Sequence, residues 1–173
     1  MKNKIKIILT ELKPDMVSKR YISWMNNKEI MKFTEQRFSN HTEKKVKKFV
    51  SSKKNSKNEF LFGIFIFLEK EKIHVGNIKL GPINFIHKTA EISYFIGDKN
   101  YHKKGIGSQA IRNVLIIAKK RFKLKKITAG VYSNNISSSK VLLKNKFKLE
   151  GTLKKQYQYK NKRVDGLIYG KYI

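Results

Sequence analysis

The sequence predicts a mixed α/β domain in which an antiparallel meander of strands feeds a strand–loop–helix unit. Three observations predict it. Apolar runs of strand length alternate with helix-period stretches in the order β-α-α-β-β-β-α-β-α-β-β along 173 residues. The clearest amphipathic stretch begins at Ile106, beside the glycines Gly105 and Gly107. No repeat, low-complexity linker or proline-rich break divides the chain, so residues 1–173 are expected to form a single domain.

Residues 4–9 are the first strand candidate. A helical stretch follows over 14–25, with Met16, Ile22 and Trp24 as apolar positions. A second helix covers 42–51, where Thr42 can cap and Val46, Phe49 and Val50 recur on one face. Between them lies a loop, 35–40. Phe60–Leu68, the polar turn 69–72 and the run 73–80 read as a hairpin, and Gly81-Pro82 marks a break. Residues 90–96 are another strand. The helix 106–120 carries an apolar stripe of Ile106, Ala110, Val114, Leu115, Ile117 and Ala118, with Gln109, Arg112, Asn113, Lys119 and Lys120 facing away. A strand at 127–132, a helix at 137–145 and strands at 147–153 and 163–172 complete the chain.

Composition narrows the function. The longest apolar run has nine residues, far short of the roughly 18–20 a membrane span needs, and no cleavage-like site follows the basic N-terminus. A soluble cytoplasmic protein is expected. With no cysteine there is no thiolate ligand or nucleophile. The four histidines lack metal-ligand spacing, so no metal site is expected. The net charge of +28 fits a polyanionic partner, but 35 of the 40 cations are lysine, spread through every segment. Arginine, the residue suited to bidentate phosphate or guanine contacts, is scarce. The charge is therefore read as compositional, with a general preference for anionic ligands and no specific nucleic acid.

The informative junction is the strand 90–96, its loop, and the helix that begins near Gly105. Glycines at a helix N-terminus expose unpaired N–H groups at the positive end of the dipole, an anion site to which Lys103 and Lys104 add charge. The plainer alternative is a tight turn packed against a sheet. The stretch lacks GxxxxGK[ST] and the third glycine of a dinucleotide fingerprint.

The segment EISYFIGDKNYHKKGIGSQAIRNVL resembles the signature of the GNAT acetyltransferases, a strand followed by [Q/R]-x-x-G-x-[G/A] and a helix. NNISSSKVLLKNKF resembles that family's second signature. YISWMNNKEIMKF and EGTLKKQYQYKNKRVDGLIYGKY are similar to the branch that acetylates ribosomal-protein N-termini and nucleotide-linked amino sugars. The resemblance spans nearly the whole chain in the right order. It implies the GNAT fold: a twisted, mostly antiparallel sheet of about seven strands, flanked by helices and splayed between its fourth and fifth strands. Two positions depart from the pattern. His102 stands where the family prefers Gln or Arg, and Lys146 stands where it usually has Gly.

The resemblance implies acetyl-coenzyme A as cofactor and direct attack by a neutral primary amine on the thioester. Pantetheine is expected along Tyr94, Phe95 and Ile96, with the N–H of Phe95 or Ile96 at the acetyl oxygen. The pyrophosphate falls on His102, Lys103, Lys104, Gly105, Ile106 and Gly107, with Ser108 as an added hydroxyl. Asn135 and Ser138 match the second signature, and Lys144 can assist by charge. The tyrosine that many relatives use as general acid is Leu142 here, which leaves Ser138 or water; Ser138 can also simply cap the following helix. Glu91 is the base candidate, sharing a strand face with Ser93 and Phe95. Its alternative is an exposed strand carboxylate paired with lysine.

For the acceptor the resemblance points to Trp24, Glu35, Arg37 and Phe38, joined by Tyr157 and Tyr159. Glu35 can bind the ammonium and Arg37 a nucleotide diphosphate, while Trp24 can also be a core position. The first expectation is a nucleotide-linked amino sugar, the second a peptide N-terminus. The protein is expected as a monomer or homodimer. The competing class is a non-catalytic basic module that binds nucleic acid.

Overall fold

The computed structural model describes residues 5–68 and 71–173. Its strands are β1 (Ile7–Glu11), β2 (Phe60–Leu68), β3 (Glu71–Asn84), β4 (Thr89–Ile96), β5 (Lys126–Tyr132), β6 (Lys148–Tyr159) and β7 (Lys162–Tyr172). They form one seven-stranded sheet in the order β1-β2-β3-β4-β5-β7-β6. The α-helices are α1 (Lys19–Met25), α2 (Lys28–Met31), α3 (Glu43–Lys54), α4 (Ile106–Phe122) and α5 (Ile136–Lys144). Every neighbouring pair is antiparallel except β4–β5, which is parallel because α4 carries the chain across between them.

The uninterrupted apolar run of β2 reflects a sheet covered on both faces. Phe62, Ile64 and Ile66 enter the larger core beneath α4, with Ile78, Ile92, Val114 and Leu142. Leu61 and Phe65 point the other way, into a second core under α1–α3 with Tyr21, Trp24, Met31 and Val50. The two cores lie on opposite faces of the same strands, β2 with contributions from β1 and β4, so the sheet joins the helices of both faces.

Several expected elements are redrawn. The single helix over 14–25 is a 3-10 turn at Pro14–Met16 and a separate α1, because Val17 is extended and Ser18 accepts a hydrogen bond from the Tyr21 N–H as an N-cap. The short α2, capped by Asn27, was not foreseen. The expected loop over 35–40 winds into a 3-10 turn at Glu35–Phe38. Gly81-Pro82 does not end the strand. β3 continues past it through a register shift between Leu80 and Ile83, with Gly81 at φ +119 against the Asn58 carbonyl. β6 runs on to Tyr159, beyond the expected end at residue 153. In α4, Ile111 is fully buried and was missed from the stripe, whereas Gln109 and Asn113, expected to face away, donate to the Ile5 and Ile7 carbonyls. Of the expected first strand and first turn, residues 4 and 69–70 lie outside the described residues.

Six lysines occupy the left-handed region: Lys88, Lys103, Lys123, Lys146, Lys155 and Lys160, with φ between 51 and 64. Lys146 is thus in the conformation that the family's glycine would adopt freely.

Candidate active site

β4 and β5 pair only at Thr89–Lys126, Ala90–Ile127 and Glu91–Thr128. Beyond Glu91 they part, and β5 stays with β7 as far as Tyr132–Gly166. The sheet is therefore splayed between its fourth and fifth strands, as expected. The β3–β4 register decides which groups face the opening. Ile96 lies opposite Gly76, and the Gly97 N–H donates to the Val75 carbonyl. The alternation of an antiparallel ladder then turns the Phe95 N–H toward β3, and the N–H and C=O of Tyr94 and Ile96 toward the opening. Of the two expected donors to an acetyl oxygen, geometry leaves Ile96; the Phe95 N–H is committed to the sheet.

The loop before α4 gathers an anion site from backbone. Gly105, at φ +78, is the N-cap and offers no side chain, so the first N–H groups of α4 are uncapped at the positive end of a 17-residue helix. A Cβ on Gly105 would touch nothing within 4 Å, which leaves its surroundings open. Gly107 is constrained instead by packing: a Cβ there would lie 2.9 Å from the Tyr94 ring. Lys103 and Lys104 stand exposed beside it. His102 folds back, its Nε2–H donating to the Ile96 carbonyl at 2.9 Å. The Ser108 hydroxyl is buried and accepts from Arg112 and Asn145, each at 3.0 Å, which holds it inside the α4–α5 packing and away from the loop. Ile106 is core.

On α5 the capping role falls to Asn135, whose Oδ1 accepts from the Ser138 N–H at 3.3 Å. The Ser138 hydroxyl is thereby free to meet the Tyr94 phenol at 3.5 Å. Burial raises the pKa of that phenol, and Ser138 partly offsets it. Leu142 is buried in the core and carries no acid. Lys144 is exposed in the last turn, roughly 9 Å along the axis from Ser138, and does not join this group.

Across β4 a cavity of about 440 Å³ opens on the face of Glu91, Ser93 and Phe95. Its walls are aromatic. Tyr132 stacks on Tyr157 at 4.0 Å between ring centroids; Phe33, also in the wall, stacks at 5.2 Å on Tyr159, which lies outside the lining, contrary to expectation. A register shift in β6 between Leu153 and Tyr157 accompanies the turn of Tyr157 inward, where Gly166 leaves room for its ring. Glu35 and Glu91 both line the cavity. Among the described residues neither has an ion-pair partner, whereas the one lining lysine, Lys79, is paired at 2.8 Å with Glu59, which Lys53 also contacts. The pKa of Tyr157 is raised first by burial and then by Glu35 and Glu91, which places both carboxylates near one phenol. Glu91 itself is exposed, so the partly dry setting expected for it is absent.

Trp24 takes the core alternative, and two further acceptor residues are placed differently from expectation. Trp24 is core: only 5% exposed, packed on His74 and Phe95, and pressed on Gly97 so closely that a Cβ there would lie 2.1 Å from the indole. Arg37 is consumed internally, donating to the Thr34 and Gln158 carbonyls and to Tyr132 Oη, so it has little left for a phosphate. Phe38 points outward at 65% exposure, under the Arg37 guanidinium. Sequence reasoning missed Tyr132, whose hydroxyl joins Arg37 to Glu35 at 2.9 Å on each side. It also missed Phe33, Tyr21 and Asn77 in the lining. No sequence spacing marks them, because they come from separate segments.

The family profile described as Acetyltransferase (GNAT) domain matches residues 6–148. This chain belongs to the GNAT acetyltransferase family. It is 36% identical over 110 residues to the probable N-acetyltransferase YjcK of Bacillus subtilis (strain 168), covering 63% of this chain and 56% of that protein. It is 34% identical over 109 residues to the ribosomal-protein-serine acetyltransferase of Escherichia coli (strain K12), covering 62% and 59%. These alignments thus span less than two thirds of either relative. Among solved structures, the spermidine N-acetyltransferase of Vibrio cholerae with CoA and spermine superposes with a TM-score of 0.85 at 20% identity, over 96% of this chain and 95% of the other. A ribosomal-protein alpha-N-acetyltransferase in complex with coenzyme A gives 0.83 at 20% identity, over 96% and 94%. Both share the fold.

Proposed function

We propose that this protein is an acetyl-coenzyme-A-dependent N-acetyltransferase whose acceptor is a peptide α-amine. One observation carries the acceptor: Glu35 and Glu91 face a single aromatic-walled cavity without cation partners among the described residues, in a chain of net charge +28. Two carboxylates without a direct ion pair, beside aromatic rings, suit an ammonium group. The surrounding positive field opposes a polyamine but not a peptide bearing one ammonium. The name of the Escherichia coli relative points the same way. The nucleotide-linked amino sugar loses support because Arg37 is already engaged.

Acetyl-coenzyme A supplies the activated acetyl thioester when bound, and the residues present fit it. The uncapped N–H groups behind Gly105, with Lys103 and Lys104 beside them, hold the pyrophosphate. The outward N–H and C=O of Tyr94 pair with an extended amide chain. The Ile96 N–H stabilises developing oxyanion charge. Glu35, held by Tyr132, orients the ammonium. Glu91 takes its proton through water, and Ser138 with Tyr94 offers a proton donor at the opening between β4 and β5. This chemistry fits the cytoplasmic setting expected from the sequence.

The test is thiol release from acetyl-coenzyme A with free peptides, the same peptides N-acetylated, polyamines, and UDP- and dTDP-linked 4-amino sugars. Turnover of free but not blocked peptides is expected. Turnover confined to sugars or to polyamines overturns the acceptor. Oligonucleotide binding with a steep salt dependence, no thiol release and no rise in Tm with acetyl-coenzyme A overturns the enzyme reading.

A further inference from the structure

The floor of the cavity holds a polar group that the chemistry above does not use. Asn77, on β3 opposite Phe95, is 2% exposed and lines the cavity together with Tyr21, itself 1% exposed. Its amide orientation follows from its neighbour. His74 Nε2 lies 2.9 Å from the Gly76 carbonyl and 2.7 Å from an Asn77 side-chain atom. A carbonyl only accepts, so Nε2 carries the proton, and the Asn77 atom facing it must be the oxygen. Burial lowers the pKa of His74, which keeps the ring neutral and the tautomer fixed. The Asn77 amide nitrogen is thereby turned away from His74, and it has no hydrogen-bond partner among the described residues.

A buried N–H without a partner is costly, about 1–3 kcal/mol, and folded proteins keep few of them. The Tyr21 hydroxyl stands beside the same amide and can accept from it, which only partly offsets the rise in its pKa caused by burial, so the phenol remains protonated. The adjacent amide and phenol, neutral and oriented from behind by His74, still hold a second N–H and an O–H to donate, a site for a neutral oxygen. Cations have Glu35 and Glu91 in the same lining instead.

We propose that Asn77 and Tyr21 form a specificity floor that binds a neutral hydrogen-bond-accepting oxygen of the acceptor, a hydroxyl or an amide carbonyl close to the reacting amine. His74 is its positioning residue. The proposal rests on reading the cavity as the acceptor site. It selects among amines: an acceptor carrying such an oxygen satisfies the buried N–H, and one lacking it leaves the group unpaired.

The test compares KM and kcat for an amino-acid amide, an amino alcohol and the plain alkylamine of equal chain length. With the unaltered protein, removing the oxygen should raise KM about tenfold with kcat nearly unchanged. Asn77→Leu should compress that preference to within about twofold while keeping the Tm and its rise with acetyl-coenzyme A. Tyr21→Phe, which removes only the hydroxyl, should compress it part-way and keeps the test open should Asn77→Leu fold poorly. Preference for the amide over the alcohol assigns the carbonyl as the oxygen bound; the reverse assigns the hydroxyl. Unchanged preference in both variants, or amine turnover with no oxygen preference in the unaltered protein, overturns the floor alone. Absence of turnover with every amine and peptide removes the acceptor reading on which it rests.

Discussion

On the α4 side of β4 the site is made of backbone: the uncapped N–H groups behind Gly105 and the open edge at Tyr94 and Ile96. On the opposite face it is made of side chains drawn from points as distant as Tyr21 and Tyr157. Backbone sites are specified by a few glycines at fixed spacing and tolerate change elsewhere. Side-chain sites depend on many residues, each replaceable, and can change ligand while the fold stays the same. The cofactor is thus written locally, and the acceptor only in three dimensions.

The comparison can be broken by variants that act on one face alone. Glu91→Gln should lower kcat about a hundredfold and flatten its acid limb, yet leave the Tm rise with acetyl-coenzyme A intact. An unchanged pH–rate profile would remove Glu91 as base. Gly107→Val forces a side chain into the Tyr94 ring, already 2.9 Å from a Cβ. Acetyl-coenzyme A binding, read by calorimetry, should weaken tenfold or more, with peptide KM little altered. Tyr132→Phe removes the hydroxyl between Glu35 and Arg37. A several-fold rise in peptide KM is expected, with cofactor affinity unchanged; loss of cofactor affinity would show that the two faces are coupled.

A smaller effect concerns pH. Burial holds His74 below its ordinary value of 6.5. As pH falls, the unfolded chain takes up this proton first, so the stability contributed is complete above 6.5 and is lost as pH falls toward the lowered folded value. His74→Gln should therefore lower Tm at every pH, through lost packing on Trp24 and Phe65, but flatten its decline in that acid window.

The legibility of the sequence follows the same division. The Gly105 loop, the amphipathic α4 and the order of strands could be read because they depend on local spacing and period. Ser108 misled because its hydroxyl is claimed by Arg112 and Asn145, contacts made across α4 and α5. Trp24 was legible only as two alternatives, and Arg37 misled, for a related reason. An indole can fill a core as well as line a mouth, and a guanidinium can bind its own protein's carbonyls as readily as a phosphate. Asn77 looked like any strand residue until His74 was seen to fix its amide.

The left-handed lysines bear on how far this protein can evolve. An L-residue there costs roughly 1–2 kcal/mol, against about 0.5–1 kcal/mol of extra chain entropy for glycine. Lys146→Gly should therefore raise Tm by about 1–3 °C in a chain of this size. Lys88, Lys123, Lys155 and Lys160 offer the same exchange outside the cofactor loop, and well-separated gains add. Reversion at these turns would give the fold mutational headroom. Destabilising changes around the acceptor cavity could then be accepted, and new amine specificities explored, on an unaltered cofactor platform.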